Sequence, residues 1–152
     1  MDELQLQTLS TPLFSLEGEE MLGKCVKCYD GDTIHIVFNY KGEYRRFRSR
    51  LLEIDTPELR SKNEKEKEIA KEARSKMREW VLDKIVWVKC GGFDKYGRLL
   101  VYIYPYGFQM GGNVGDKGYL GSFNERLVTL GIAYRYEGGK KKKFEEWFPV
   151  MD

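Results

Sequence analysis

The reading of the fold turns on Asp30-Gly31-Asp32-Thr33-Ile34-His35-Ile36-Val37-Phe38. Asp-Gly is the strongest short hairpin signal. Behind it Ile34, Ile36 and Phe38 alternate with period two, as the buried face of a strand does. Gly23 to Tyr29 supplies the strand that enters the turn. Beyond, Asn39-Tyr40-Lys41-Gly42 marks a second turn, and a third strand rich in Arg, Phe, Tyr and Leu runs from about Glu43 to Ile54. Three strands joined by short turns make an antiparallel meander.

The period then changes. From Glu64 to Lys84 the apolar residues Ile69, Ala70, Ala73, Met77, Trp80 and Val81 step by three and four, one stripe of an amphipathic helix among Lys and Glu. Ile85 to Cys90 and Leu99 to Tyr104 read as two further strands, bridged by Asp94-Lys95-Tyr96-Gly97-Arg98. Ser122 with Glu125 is a capping box that opens a short helix carrying Phe123, Leu127 and Leu130 and ending at Gly131. Phe144, Trp147 and Phe148 have the spacing of a last short helix. The order β-β-β-α-β-β followed by short helices predicts an α+β protein, a five-stranded OB-fold barrel. Residues 22–152 are expected to form this single domain, after a polar and poorly ordered lead-in, 1–21. The Gly-rich piece 105–121 reads as an inserted excursion, and it lacks the G-K-[ST] of a phosphate loop.

Composition bounds the function. A chain of 152 residues, 41% hydrophobic and 33% charged, fits one soluble domain with a real core. No apolar run approaches bilayer length, so no membrane partner is expected. Net charge is only +2, and any nucleic-acid contact must come from local clustering. Three cysteines, an odd number, argue against a disulfide framework and for a reducing compartment. With no signal-peptide pattern at Met1-Asp2-Glu3-Leu4, an intracellular or cytoplasmic location is favoured over secretion, and a monomer is expected. Cys25-Val26-Lys27-Cys28 has no second Cys/His pair and is not read as a zinc site. His35 is the sole histidine, which argues strongly against a His-driven nuclease or a Ser-His-Asp hydrolase.

The chemistry sits at the turns. Asp32 and Asp55 are hard oxygen donors just past strand ends, and Thr56, held extended by Pro57, offers a backbone carbonyl beside Asp55. Carboxylate and carbonyl oxygens of this kind suit Ca2+, with Mg2+ or Mn2+ as alternatives. Glu58 follows three residues on, within reach of a water near such a cation. Arg50 and Arg98 come from different strands, and a guanidinium forks onto two phosphate oxygens where lysine supplies only charge.

With these residues assembled, the chain resembles the thermonuclease (staphylococcal nuclease-like) family, Ca2+-dependent phosphodiesterases built on an OB-fold barrel. The resemblance covers Gly23 to Tyr136. It rests on Asp30-Gly31-Asp32-Thr33, Arg50-Leu51-Leu52, Ile54-Asp55-Thr56-Pro57-Glu58, Asp94-Lys95-Tyr96-Gly97-Arg98, and Asn124-Glu125 with Gly131-Ile132-Ala133-Tyr134. It implies that Asp32, Asp55 and the Thr56 carbonyl bind Ca2+, that Glu58 is the general base or the group that orients the attacking water, and that Arg50 and Arg98 are the active-site arginines. Lys95 and Tyr96 match positions that contact a terminal phosphate. Tyr134 or Tyr136, not both, matches a tyrosine flanking the nucleotide.

The implied activity is hydrolysis of DNA and RNA with little sequence specificity, leaving 3′-phosphate ends; single strands are favoured and duplex is possible. Lys140 to Lys143 reads as a solvated helix face rather than as a basic run that helps bind the phosphate backbone. Arg45, Arg46 and Arg48 read as solvated strand residues able to touch a phosphate backbone. The alternative is a catalytically inactive OB-fold module that binds nucleic acid or protein. Degenerate copies of that kind lose the acids or arginines, whereas this chain keeps Asp32, Arg50, Asp55, Glu58 and Arg98.

Overall fold

In a computed structural model that describes residues 2–107 and 118–148, the Asp30–Gly31 turn joins strand β1 (Glu20–Cys28) to β2 (Thr33–Tyr40). Gly31 does not take a left-handed φ. A Cβ there would stand 2.8 Å from Ala73 Cβ and 2.9 Å from Thr56 Cγ2, so the glycine lets the turn press against its neighbours. The turn itself is closed by Asp30, whose Oδ1 accepts the N–H groups of Asp32 (3.0 Å) and Thr33 (2.8 Å).

β3 (Glu43–Leu51) pairs antiparallel with β2, Ile36 opposite Phe47. β5 (Ile85–Phe93) pairs antiparallel with β1 and with β6 (Leu99–Tyr104). β6 runs parallel to β3, Arg50 opposite Leu100, and closes a barrel in the order β1-β2-β3-β6-β5. The α+β barrel of the sequence reading is therefore present. The third strand differs from expectation. It stops at Leu51, because Glu53 adopts a φ of 65° that no ladder accommodates. Ile54–Asp55 instead forms a short strand, β4, which pairs with β7 (Tyr134–Arg135) in a separate ribbon.

Helix α1 (Glu64–Val81) is capped by Asn63, whose side chain accepts the Glu66 N–H (3.1 Å). It ends three residues before the expected Lys84, since Leu82 is extended and Asp83 has a φ of 61°. Ile69, Ala70, Ala73, Met77 and Val81 are buried along its inner stripe. Ile34, Ile36 and Phe38 from β2 meet Val86, Val88, Val101 and Ile103 in the same core. Each such side chain contributes about 1.5–3 kcal/mol when fully buried. Trp80 stacks on Phe123 (5.5 Å) and so couples α1 to α2 (Phe123–Thr129).

At α2, Ser122 Oγ accepts the Glu125 N–H (3.1 Å), while Glu125 returns to the Gly121 N–H (3.0 Å) rather than to that of Ser122. A last turn, α3 (Phe144–Trp147), follows. Within the lead-in, Leu16 enters the core, Phe14 packs edge-on against Tyr40 (5.7 Å), and the Gly18 N–H donates to the Cys90 carbonyl (2.9 Å). Of the Gly-rich excursion expected at 105–121, residues 108–117 lie outside the described residues. Among the described residues no helix is long and apolar enough to cross a membrane.

Candidate active site

One end of the barrel gathers side chains that lie far apart in the chain. The Asp30 turn holds Asp32 at the start of β2, and the Leu51 N–H, at the end of β3, donates to the Asp32 carbonyl (2.9 Å). Arg50, the residue before it, sends Nη2 to Asp32 Oδ2 (3.3 Å) and to Asp55 Oδ1 (3.0 Å). Its Nη1 donates to the carbonyls of Leu51 (3.2 Å) and Ile54 (3.3 Å). Arg50 is thus fixed by four acceptors and bridges two carboxylates. The Thr56 N–H reaches Asp32 Oδ2 (3.4 Å), which ties the segment after β4 to the first hairpin.

β4 owes its position to Asn124, fully buried on α2. Its Nδ2 donates to the carbonyls of Leu52 and Val101 (3.0 Å each), and its Oδ1 accepts the Ile103 N–H (3.2 Å). The bend between β3 and β4 is thereby clamped onto β6. Glu53, at the bend, pairs with Arg135 and accepts from the Tyr102 hydroxyl.

Asp32, Asp55 and Thr56 are all buried, with only 4–6% of each exposed. Burial, reinforced by the charge of Asp30, raises the Asp32 carboxyl to about 6 against the pull of Arg50. Burial and the nearby Asp32 charge also raise Asp55, opposed by Lys141 and Arg50. Both acids carry charge that their surroundings under-compensate. Glu58 stands at the rim. Partial burial, with the charges of Asp55, Asp32 and Glu66, raises its carboxyl, and Lys141 opposes the shift.

These groups line a hollow of about 240 Å³. It shares Arg50, Arg98 and Lys141 with a neighbouring hollow of about 610 Å³ walled by Lys95, Tyr96 and Tyr136. Arg98 is aimed from the β5–β6 turn by Asp94, which accepts from its Nε (2.8 Å). Burial would raise the Asp94 carboxyl, but the N–H groups of Arg98 and Tyr96 and the Arg98 guanidinium hold it below its ordinary value. The Tyr96 ring lies 5.3 Å from the Arg98 guanidinium, and the Tyr136 ring 5.9 Å from that of Arg50.

The two tyrosines of β7 and its extension do different work. Tyr136 lines the larger hollow, while Tyr134 is buried beneath, its hydroxyl donating to Asp55 Oδ2 (3.0 Å). That hydroxyl accepts the Lys142 N–H (3.0 Å), and burial with the Asp55 charge raises it to about 12, so it stays a donor.

Two residues escaped the sequence reading. Lys141, in a run expected to be a solvated helix face, precedes α3 in non-helical chain and places Nζ 3.4 Å from Asp55 Oδ1 and 4.0 Å from Glu58 Oε1. Nothing in four consecutive lysines marks one of them. Glu66 accepts the Glu58 N–H (3.2 Å) and the Ser61 hydroxyl (2.6 Å), so it shapes the loop that carries Glu58. Its signal was available, since Asn63 followed three residues on by Glu66 is a helix-start pattern.

The oxygen donors fit a hard cation. Among the described residues no three His, Cys, Asp or Glu side chains form a metal-holding group. A cation here would rest on two buried carboxylates and a backbone oxygen, a sparse set that leaves coordination for water and a substrate phosphate.

Comparison with known proteins places the chain in a family. The family described as staphylococcal nuclease homologue matches residues 48–148. An uncharacterized protein of Methanocaldococcus jannaschii is 32% identical over 142 residues, covering 78% of this chain and 60% of that protein. Endonuclease YncB of Bacillus subtilis is 33% identical over 121 residues, covering 76% of this chain and 49% of that enzyme. The chain thus spans about half, or somewhat more, of the length of these curated relatives. The family match begins downstream of Asp32, whose place in the site rests on its contacts with Arg50 and Thr56.

Proposed function

We propose, since this chain belongs to the staphylococcal nuclease homologue family, that it hydrolyses the phosphodiester bonds of DNA and RNA in a metal-dependent reaction. The observation that carries the reading is the meeting of two buried, under-compensated acids with Arg50 and Arg98 at one hollow, beside a second hollow walled by cations and aromatic rings.

Asp32, Asp55 and the Thr56 carbonyl would hold the cation, Ca2+ in this reading. Bound there, such an ion supplies charge neutralisation to the phosphate and polarises water. Arg50 and Arg98 grip phosphate oxygens and follow the charge that grows on them as phosphorus becomes five-coordinate. Glu58 takes the proton of the attacking water as its oxygen bonds to phosphorus. The bond to the 5′-oxygen breaks, that oxygen leaves and is protonated by solvent, and a 3′-phosphate end remains. Lys95 and Tyr96 receive a terminal phosphate, and Tyr136 flanks the base. Asp94 acts through Arg98, and Tyr134 through Asp55. Little in this set reads base edges, which favours low sequence specificity.

Incubating single-stranded DNA, duplex DNA and RNA with Ca2+, Mg2+, Mn2+ or chelator tests the reading. Cleavage that chelator abolishes is expected, with Glu58→Ala slowing turnover by roughly 10²–10⁴-fold while the fold is retained. Absence of cleavage with every metal would leave the nucleic-acid- or protein-binding module instead. A near-normal rate in Glu58→Ala would remove the base assignment.

A further inference from the structure

The outer face of the β1–β2–β3 sheet sets like charges side by side. In β3 the residues pointing away from the core are Tyr44, Arg46, Arg48 and Arg50, opposite Asn39, Val37, His35 and Thr33 of β2. On β1 a register shift between Cys25 and Lys27 resets the alternation. Cys25 and Cys28 both turn inward, and Lys24 and Lys27 both stand outward, opposite Val37 and His35. Two cross-strand rows result: Lys27–His35–Arg48 and Lys24–Val37–Arg46.

Cations packed this way repel one another across a sheet. Among the described residues Lys24, Lys27 and Arg46 make no ion pair, and Arg48 donates to the Tyr96 carbonyl (3.1 Å). Lysines of α1, by contrast, pair with Glu64, Glu68 and Glu79. His35 registers the field: burial first, then the charges of Lys27, Arg46 and Arg48, lower its imidazole below the ordinary value.

The rows are continuous with the candidate active site, because Arg50 is the next residue of the same face. At two residues per step, Arg50 to Tyr44 spans about 20 Å. Beyond Arg46 the face opens into a groove of about 960 Å³ that includes Lys24, Val37, Tyr44, Ile85 and Tyr106. The Tyr44 and Tyr106 side chains are mostly exposed there.

We propose that this face is an extended binding site for single-stranded nucleic acid. The strand leaves the cleft at Arg50, runs its phosphates along Arg48, Lys27, Arg46 and Lys24, and lays unpaired bases on Tyr44 and Tyr106. Cations answer the backbone whatever its sequence, and an aromatic ring accepts the face of any base. The assignment of the cleft end of this track rests on the nuclease reading.

Binding of a fluorescent single-stranded DNA dodecamer, measured in chelator across a salt series, reads the site without catalysis. The combined variant Lys24→Ala, Lys27→Ala, Arg46→Ala is expected to flatten the slope of log affinity against log salt by about 2. Substituting all three with the alternative cation (Lys24→Arg, Lys27→Arg, Arg46→Lys) is expected to keep that slope. Tyr44→Ala with Tyr106→Ala is expected to weaken binding about tenfold or more. In the cleavage assay the alanine variant is expected to lower kcat/KM for the dodecamer, relative to that for a dinucleotide, by about tenfold. An unchanged slope in a chain that cleaves the dinucleotide overturns the extended site and leaves the nuclease reading standing. A flattened slope in a chain that cleaves nothing supports the extended site and overturns the nuclease reading. Equal affinity for duplex DNA, with equal loss on substitution, overturns the single-strand assignment.

Discussion

Asp32 stands at a cost to the fold that a cation would relieve. Its carboxyl lies at about 6 in the folded chain against an ordinary value of 3.8. The folded protein therefore binds this proton more readily than the unfolded chain does, and the stability so gained is present below about pH 4 and lost as pH rises to about 6. The shift corresponds to about 3 kcal/mol before relaxation. Two outcomes are expected in thermal melts without added metal. Asp32→Asn raises the melting temperature at neutral pH, and it removes the part of the pH dependence between about 4 and 6 that belongs to this group. Ca2+ is expected to stabilise the parent protein and not the variant. A variant with the parent's pH profile would show that Asp32 is not the strained acid.

Lys141 extends the argument to a cation of the chain itself. Its ammonium lies against Asp55 and close to Glu58, so it competes for the charge a metal would use. Half of its side chain is exposed and solvent screens it, so the expected effect is modest: Lys141→Met tightens Ca2+ binding about fivefold in calorimetry. Unchanged affinity would mean that the ammonium moves away when a cation arrives. Neither effect was legible in the sequence. Asp32 was visible as a ligand type but its burial was not, and Lys141 is one of four like residues, told apart in the fold by a chain whose Lys142 N–H donates to the Tyr134 hydroxyl.

Among the elements, the barrel strands and α1 were legible because each is long enough to show its period. Ile34, Ile36 and Phe38 face inward as their alternation predicts, and the α1 stripe is buried as its spacing predicts. The ribbon of β4 and β7 was not legible, since two residues carry no period. Glu53, with its left-handed φ, has no sequence signature comparable to glycine. Gly31 was read correctly as a hairpin residue but for another reason: it is there for the close approach of Ala73 and Thr56.

What places β4 is Asn124, and its removal exposes the debt. Asn124→Ala leaves the Ile103 N–H and the carbonyls of Leu52 and Val101 without their side-chain partner in the interior. A loss of about 3 kcal/mol in denaturant unfolding is expected, together with weaker Ca2+ binding, because Asp55 lies just beyond the clamp. A destabilised variant with intact Ca2+ affinity would separate the clamp from the site.

On the scale of the whole molecule, a net charge of +2 conceals an uneven distribution. Glu64, Glu68 and Glu79 of α1 pair with its lysines, two acids are buried at one barrel end, and cations without an ion pair among the described residues cover the neighbouring sheet face. A barrel suits this division, because strand ends and loops converge at one rim while the outer faces of the same strands continue away from it. The candidate site draws on the first hairpin, the β3–β4 bend, the β5–β6 turn and the segment after β7; the sequence marked the first and third of these as turns, but it ran one strand through the bend and read a solvated helix face after β7.

Product analysis decides the central claim most directly. A single-stranded oligonucleotide is incubated with the protein and Ca2+, with a chelator control, and the mass of each fragment end is determined. The expected result is fragments ending in 3′-phosphate, formed with Ca2+ and absent with chelator and in Arg50→Ala. Chelator-resistant cleavage, 5′-phosphate ends, or full activity in Arg50→Ala would contradict it.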